Sequence, residues 1–192
     1  MNLKPLNNLD EHDTYNFFAL KDATGAKGTP VVIDGSGWNN SYSTPIVSNT
    51  TLQGNPNTAP NSNLFYSPRW EIRSRVRPAV SGEVPFGIQL YDVKELNQWG
   101  YSLVYDKQRR LEAQALISGE AVPITKKGLL LVGPFPTGGT QPGPGKFAVV
   151  KGVGDWGVLA ATSGVKPSGA FGEFIGSPDN DGYAPVIINC YV

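Results

Sequence analysis

Across residues 86–135 the apolar and polar positions alternate, cluster and break in a way that predicts a β core. Gly87-Ile88-Gln89-Leu90-Tyr91 alternates as a half-buried strand does, and residues 101–105 repeat the pattern less cleanly. Residues 106–116 then switch to strong helix formers, with Asp106 placed as an N-cap and Leu111, Ala115 and Leu116 on one side. One short helix is expected there. Ser118-Gly119-Glu120 turns the chain into residues 121–125, Lys126-Lys127-Gly128 turns it again, and Leu129-Leu130-Leu131-Val132 runs to the breakers Gly133-Pro134. This predicts a hairpin whose second arm is apolar on both faces and therefore covered on both, as inside a barrel or sandwich.

The flanks carry the same signature. Residues 15–20 and 30–33 are strand-like and a turn at 22–28 separates them, which predicts a first hairpin. From 69 to 77 the pattern has period two: Trp70, Ile72 and Val76 share one face with Ser74, while Arg69, Arg73, Arg75 and Arg77 share the other with Glu71. Short strands are expected at 146–151, 157–161 and 172–176, a turn at 177–182, and a closing strand that fixes residues 183–192 in a sheet. The class is mainly β: an antiparallel β-sandwich or barrel with long loops and one short helix. Residues 1–14 are polar, with Leu3, Leu6 and Leu9 three apart and Pro5 between, as an extended arm that lays leucines on another surface. Residues 15–192 form a single β-rich domain, interrupted by a long polar loop at 34–68 in which Trp38 and Tyr42 are isolated aromatic anchors.

Composition supports this division. The 23 glycines and 16 prolines make about a fifth of the 192 residues, against roughly 12% in average usage, which favours a turn-rich β protein. Sixteen basic and sixteen acidic side chains cancel, so the overall charge points to no nucleic acid and no membrane surface. No run is long and apolar enough for a signal peptide's core or a bilayer span, so synthesis in the cytoplasm is expected. Asn39-Asn40-Ser41 and Asn49-Thr50-Thr51 match the N-glycosylation pattern but read as chance without a secretion signal. The single cysteine, Cys190, reads as a small buried hydrophobe.

Catalytic chemistry is thinly supplied. His12 is the only histidine and lies in a solvated acidic stretch of the arm, where no preorganised base is expected. One histidine and one cysteine far apart make no zinc site of the usual spacing. Asp179-Asn180-Asp181-Gly182 starts as a calcium loop starts, but Tyr183-Ala184-Pro185-Val186 follows where further ligands would stand, so a β-turn is expected. Residues 139–146 imitate a phosphate loop, yet their glycine spacing is off by one, Phe147 follows Lys146, and two prolines remove amides. No enzyme, no cofactor and no metal are expected. A chain of this make-up works through its surface, and Arg69, Arg73, Arg75 and Arg77 are candidates to pair a partner's carboxylates in fork geometry or to contact phosphates.

The runs 85–93 (from Pro85), 100–106 (from Gly100) and 116–128 (from Leu116), with the ending 172–192, resemble virion structural proteins of tailed bacteriophages. More narrowly they are similar to head proteins of the capsid decoration, or cement, type. That resemblance implies a β-rich protein made in the host cytoplasm that binds the capsid exterior of the virion, with the major capsid protein as partner. It also implies a homo-oligomer, with a trimer favoured. The contact residues are then expected among Leu3, Leu6, Leu9, Trp38, Tyr42 and the four arginines. A tail or baseplate adaptor is the alternative within the same class. A carbohydrate-binding β module stacking sugars on Trp38, Trp70, Trp99 or Trp156 is the alternative outside it.

Overall fold

The computed structural model describes residues 2–4, 14–20, 24–38, 74–94, 96–97, 99–103, 107–117, 120–160 and 166–190. These residues form a mainly β protein with two principal strand groups. The first is an open sheet of six strands in the order β1-β9-β13-β12-β10-β11, every pair antiparallel: β1 (Asn2–Lys4), β9 (Lys127–Gly133), β13 (Ala184–Asn189), β12 (Gly172–Phe174), β10 (Lys146–Val150) and β11 (Trp156–Leu159). The second group is β2 (Thr14–Leu20), β4 (Ser74–Pro78), β3 (Pro30–Trp38), β5 (Gly87–Gln89) and β8 (Ala121–Thr125). Its pairings run β2-β4-β3-β5-β8 and return to β2, so each strand has two bonded neighbours. Such a ring leaves no edge between its strands to be protected. Two short strands, β6 (Asp92–Val93) and β7 (Ala115–Leu116), pair in parallel beside α1 (Lys107–Glu112).

Period two in the sequence becomes burial on one face. In β13, Ala184, Val186 and Ile188 are fully buried while Ile187 between them is 48% exposed. They join Leu130, Val132, Ala148, Val150, Phe171 and Phe174 in the main core, which also takes in Ala79 and Ile88 from the ring group. Val31, Val76, Val122 and Ile124 of the ring group form a second cluster with Val93 of β6. Two bonds stitch the β10–β11 hairpin to the ring: the Trp156 indole N–H donates to the Gly28 carbonyl at 2.6 Å, and the Gly154 N–H donates to the Ala79 carbonyl at 2.7 Å. Gly154 has φ +70, and a Cβ there would stand 2.8 Å from the Thr29 methyl, so only glycine fits this approach.

Several local expectations change. Neither proposed hairpin forms. β2 pairs with β4 and β8, and β3 pairs with β4 and β5. Likewise β8 pairs with β2 and β5 while β9 pairs with β1 and β13, so Lys126 carries the chain from one strand group to the other. Two pairs, β2–β4 and β6–β7, are parallel. The 87–91 strand is not half-buried: β5 stops at Gln89 and all three of its residues are buried. Residues 101–103 form no strand, only an isolated bridge between Ser102 and Leu96. The helix is shorter than 107–116, because Gln114 at φ 48 ends the turn and Ala115 and Leu116 enter β7. Leu111 is 67% exposed rather than packed with them. The polar loop begins later than 34, since β3 continues through Trp38. Asp106, residues 39–73 and residues 161–165 lie outside the described residues.

Other expectations hold. The strands expected at 146–151 and 157–161 form as β10 and β11, and the two pair as a hairpin that was not itself expected, with Phe147 opposite Leu159 and Val150 opposite Trp156. Residues 179–182 turn as expected, with the Asp179 carboxylate accepting the Asp181 and Tyr183 N–H groups at 3.0 and 2.8 Å. Cys190 is 2% exposed, and burial pushes its thiol up to about 12. It therefore stays protonated at neutral pH.

Candidate functional site

A corner of the molecule belongs to neither strand group. It is built from the 96–103 turn and α1 and seated on the β6–β7 pair. Asn97 begins the turn and Gly100, at φ 81, ends it, with the Gly100 N–H donating to the Asn97 carbonyl at 3.1 Å. Asn at the first position and Gly at the fourth are the residues that a type I turn favours. The Asn97 side-chain oxygen accepts the Trp99 and Tyr101 N–H groups, both at 2.9 Å, and the Asn97 N–H donates to the Tyr101 carbonyl, also at 2.9 Å. One amide thus holds the loop in shape and presents two aromatic rings outward. Trp99 is 68% exposed and Tyr101 66%.

The corner is anchored from below. Val93 exchanges both backbone bonds with Gly25 at 2.9 and 2.7 Å, and the Asp92 carboxylate accepts the Lys27 N–H at 2.8 Å and the Lys94 ammonium at 3.2 Å. Arg110 and Glu120 pair at 2.9 Å, and the second Glu120 oxygen accepts the Ile117 N–H. Leu103, Val93, Ala115 and Ile117 are buried beneath. Between turn and helix lies a cavity of about 430 Å³ lined by Lys94, Asn97, Trp99 and Leu103 and, from α1, by Arg109 and Glu112. Arg109 and Glu112, three residues apart, share a helix face. Leu96 on the turn and Leu111 on the helix add two further exposed apolar side chains.

A second cavity of about 410 Å³ separates the 134–140 loop from the β10–β11 hairpin and is lined by Pro134, Phe135, Pro136, Lys151 and Asp155 among others. Trp156 at its base is 3% exposed, crosses Phe171 edge-on at 4.9 Å and spends its N–H on Gly28, so it is a core residue.

Of the residues expected from sequence to meet a partner, Leu3, Trp38, Arg75 and Arg77 are among the described residues. Leu3 is half-buried in β1 and packs on the main core of its own chain. Arg77 is committed internally: its guanidinium forks onto Glu83 at 2.9 and 2.6 Å, and Glu83 also accepts the Val80 N–H. The Arg77 hydrogen bonds hold the Glu83 carboxyl below its ordinary range, with the Val80 N–H adding to the effect. Arg75 is half-buried on the same strand. Trp38 closes β3 opposite Ser74. Leu6, Leu9, Tyr42, Arg69, Trp70 and Arg73 lie outside the described residues. Sequence reasoning gave no special place to Asn97, Tyr101, Arg109 or Glu112, although Asn97 followed by Trp99 and Gly100 was a visible turn signature.

Among the described residues no three His, Cys, Asp or Glu side chains are grouped to hold a metal ion, and no helix is long and apolar enough to cross a membrane. No family model, curated protein or solved structure matches the chain.

Proposed function

We propose that this chain is a non-enzymatic virion structural protein that binds the outer surface of a phage capsid and stabilises the head, with the major capsid protein as its partner. The observation that supports a binding role is the 96–111 corner. There Leu96, Trp99, Tyr101 and Leu111 stand in solvent on a turn and helix that contribute little to either strand group. Exposed apolar side chains elsewhere, such as Val153 and Ile187, are scattered, as on any protein surface. Aromatic residues on a rigid turn are the usual anchors of an interface, because they bring large area at small conformational cost. The choice of a shell as partner rests on the resemblance of residues 85–93, 100–106, 116–128 and 172–192 to decoration proteins.

Many equivalent copies on one lattice would add modest single contacts into firm attachment. A protein that binds only the mature lattice stabilises it by linkage. The test is co-sedimentation of the purified chain with mature, empty shells of its source virus, with unexpanded shells as control, at low and high salt. Saturable binding to mature shells alone, weakened about tenfold or more by Leu111→Glu, is the expected result. Loss at high salt would bring Arg69, Arg73 and Arg75 into the contact. Absence of binding to any shell would overturn the capsid reading and direct the search to tail and baseplate parts.

A further inference from the structure

We infer that the cavity between the 97–100 turn and α1 binds a pyranose sugar unit, with Trp99 as its stacking face. This goes beyond capsid attachment and stands or falls separately from it. At about 430 Å³ the cavity is within the range of sites that hold small ligands. Trp99 presents a broad apolar ring to solvent, yet its backbone is pinned by the Asn97 oxygen at 2.9 Å, so the ring is offered on a built turn. A tryptophan held open in this way gains its stabilisation only when a flat apolar surface covers it.

The rest of the lining selects the kind of surface. Arg109 and Glu112 lie on the same face of α1, and Lys94 and Asn97 also line the cavity. A phosphate or other strong anion would meet the Glu112 carboxylate, and a cation would meet Arg109 and Lys94. A wholly apolar ligand would strip water from the Glu112 carboxylate without replacing its hydrogen bonds. A pyranose avoids each penalty. Its C–H face covers an indole, while hydroxyls around its rim donate to a carboxylate and accept from guanidinium or ammonium. One Glu112 oxygen already accepts from Gln108 at 3.2 Å, which leaves the other for a hydroxyl.

The full chain should be titrated with glucose, galactose, mannose and N-acetylglucosamine and their methyl glycosides, using saturation-transfer NMR and tryptophan fluorescence, and screened on a glycan array. At least one pyranose ligand is expected to bind, with saturation reaching the C–H protons of one ring face. Trp99→Ala should weaken that binding about tenfold or more, and Trp99→Tyr should keep most of it. Val153→Ala, on the β10–β11 hairpin and outside the cavity lining, should bind as the wild type does. Circular dichroism establishes that each variant is folded, and Trp99→Tyr carries the comparison if the alanine variant is not. A wild-type chain that binds no glycan overturns the inference, as does binding indifferent to both Trp99 substitutions.

Discussion

Glu83 shows how a single side chain can be explained by what it touches. It receives both arms of the Arg77 guanidinium and the Val80 N–H, while the Glu83 N–H returns a bond to the Val80 carbonyl at 3.0 Å. These contacts favour the ionised carboxylate, so its pKa is lower in the folded chain than the value of about 4.3 typical of an unfolded one. A group whose folded pKa is depressed contributes stability above the unfolded value and loses it as pH falls through the folded one. Glu83→Gln should therefore lower the melting temperature modestly at pH 7, since the pair is a third exposed and screened by solvent. The gap from wild type should close as pH drops below the ordinary glutamate range. Calorimetry from pH 7 to pH 3 checks this, and a gap that widened in acid would contradict it. The arginine alternation at 69–77 was legible in sequence, but Glu83, six residues beyond Arg77, was not identifiable as its partner. An alternating pattern says which face a side chain takes and nothing about what stands opposite.

At the scale of elements, hydrophobic period identified strands better than it paired them. Strands at 146–150, 172–174 and 184–189 were legible because each has one buried face or a bounded apolar run. Pairing went elsewhere because adjacent strands had better partners far along the chain: Ile124 of β8 lies opposite Tyr15 in β2 and Gln89 in β5, not opposite β9. Lys126, at this crossover, sets its ammonium 4.6 Å from the centre of the Phe86 ring. The corner around Trp99 was the least legible element, because turn chemistry at Asn97 and Gly100 places Trp99 outward with no periodic signal at all. β5 gives the sharpest element-level prediction. A Cβ on Gly87 would lie 2.6 Å from both the Ile124 methyl and the Thr125 carbonyl oxygen. Gly87→Ala should force β5 away from β8 and cost about 1–3 kcal/mol, as overpacking does. Urea unfolding measures that cost, and a change below about 0.5 kcal/mol would show that the ring yields there freely.

For the whole molecule the question is whether the open sheet and the ring of strands unfold as one body. They are joined by more than the chain at Lys126, because Ala79 and Ile88 of the ring group belong to the same buried cluster as Phe171, Phe174 and Val186 of the sheet. The Trp156–Gly28 and Gly154–Ala79 hydrogen bonds cross the same boundary. Removing either group would expose apolar surface of the other, so although Val31, Val76, Val122 and Ile124 cluster within the ring, the core shared across the boundary couples the two groups when either melts. Phe174→Ala, deep in the sheet and in contact with Phe135 at 5.6 Å, should cost about 3–5 kcal/mol. The whole transition should move together: far-UV circular dichroism, which reports all strands, and Trp156 fluorescence, which reports the joint, should shift to lower urea by the same amount. Tryptophans elsewhere contribute to that emission, so the comparison is made in Trp99→Tyr and wild-type backgrounds. Two separated transitions would mean that the ring keeps its fold without the sheet. The corner around Trp99 is seated on the β6–β7 pair and tied to the ring through Gly25 and Val93, so the sugar binding proposed for it should then persist after the sheet has melted. With a shared core it should instead vanish at the single midpoint, which ties surface function to the integrity of both strand groups.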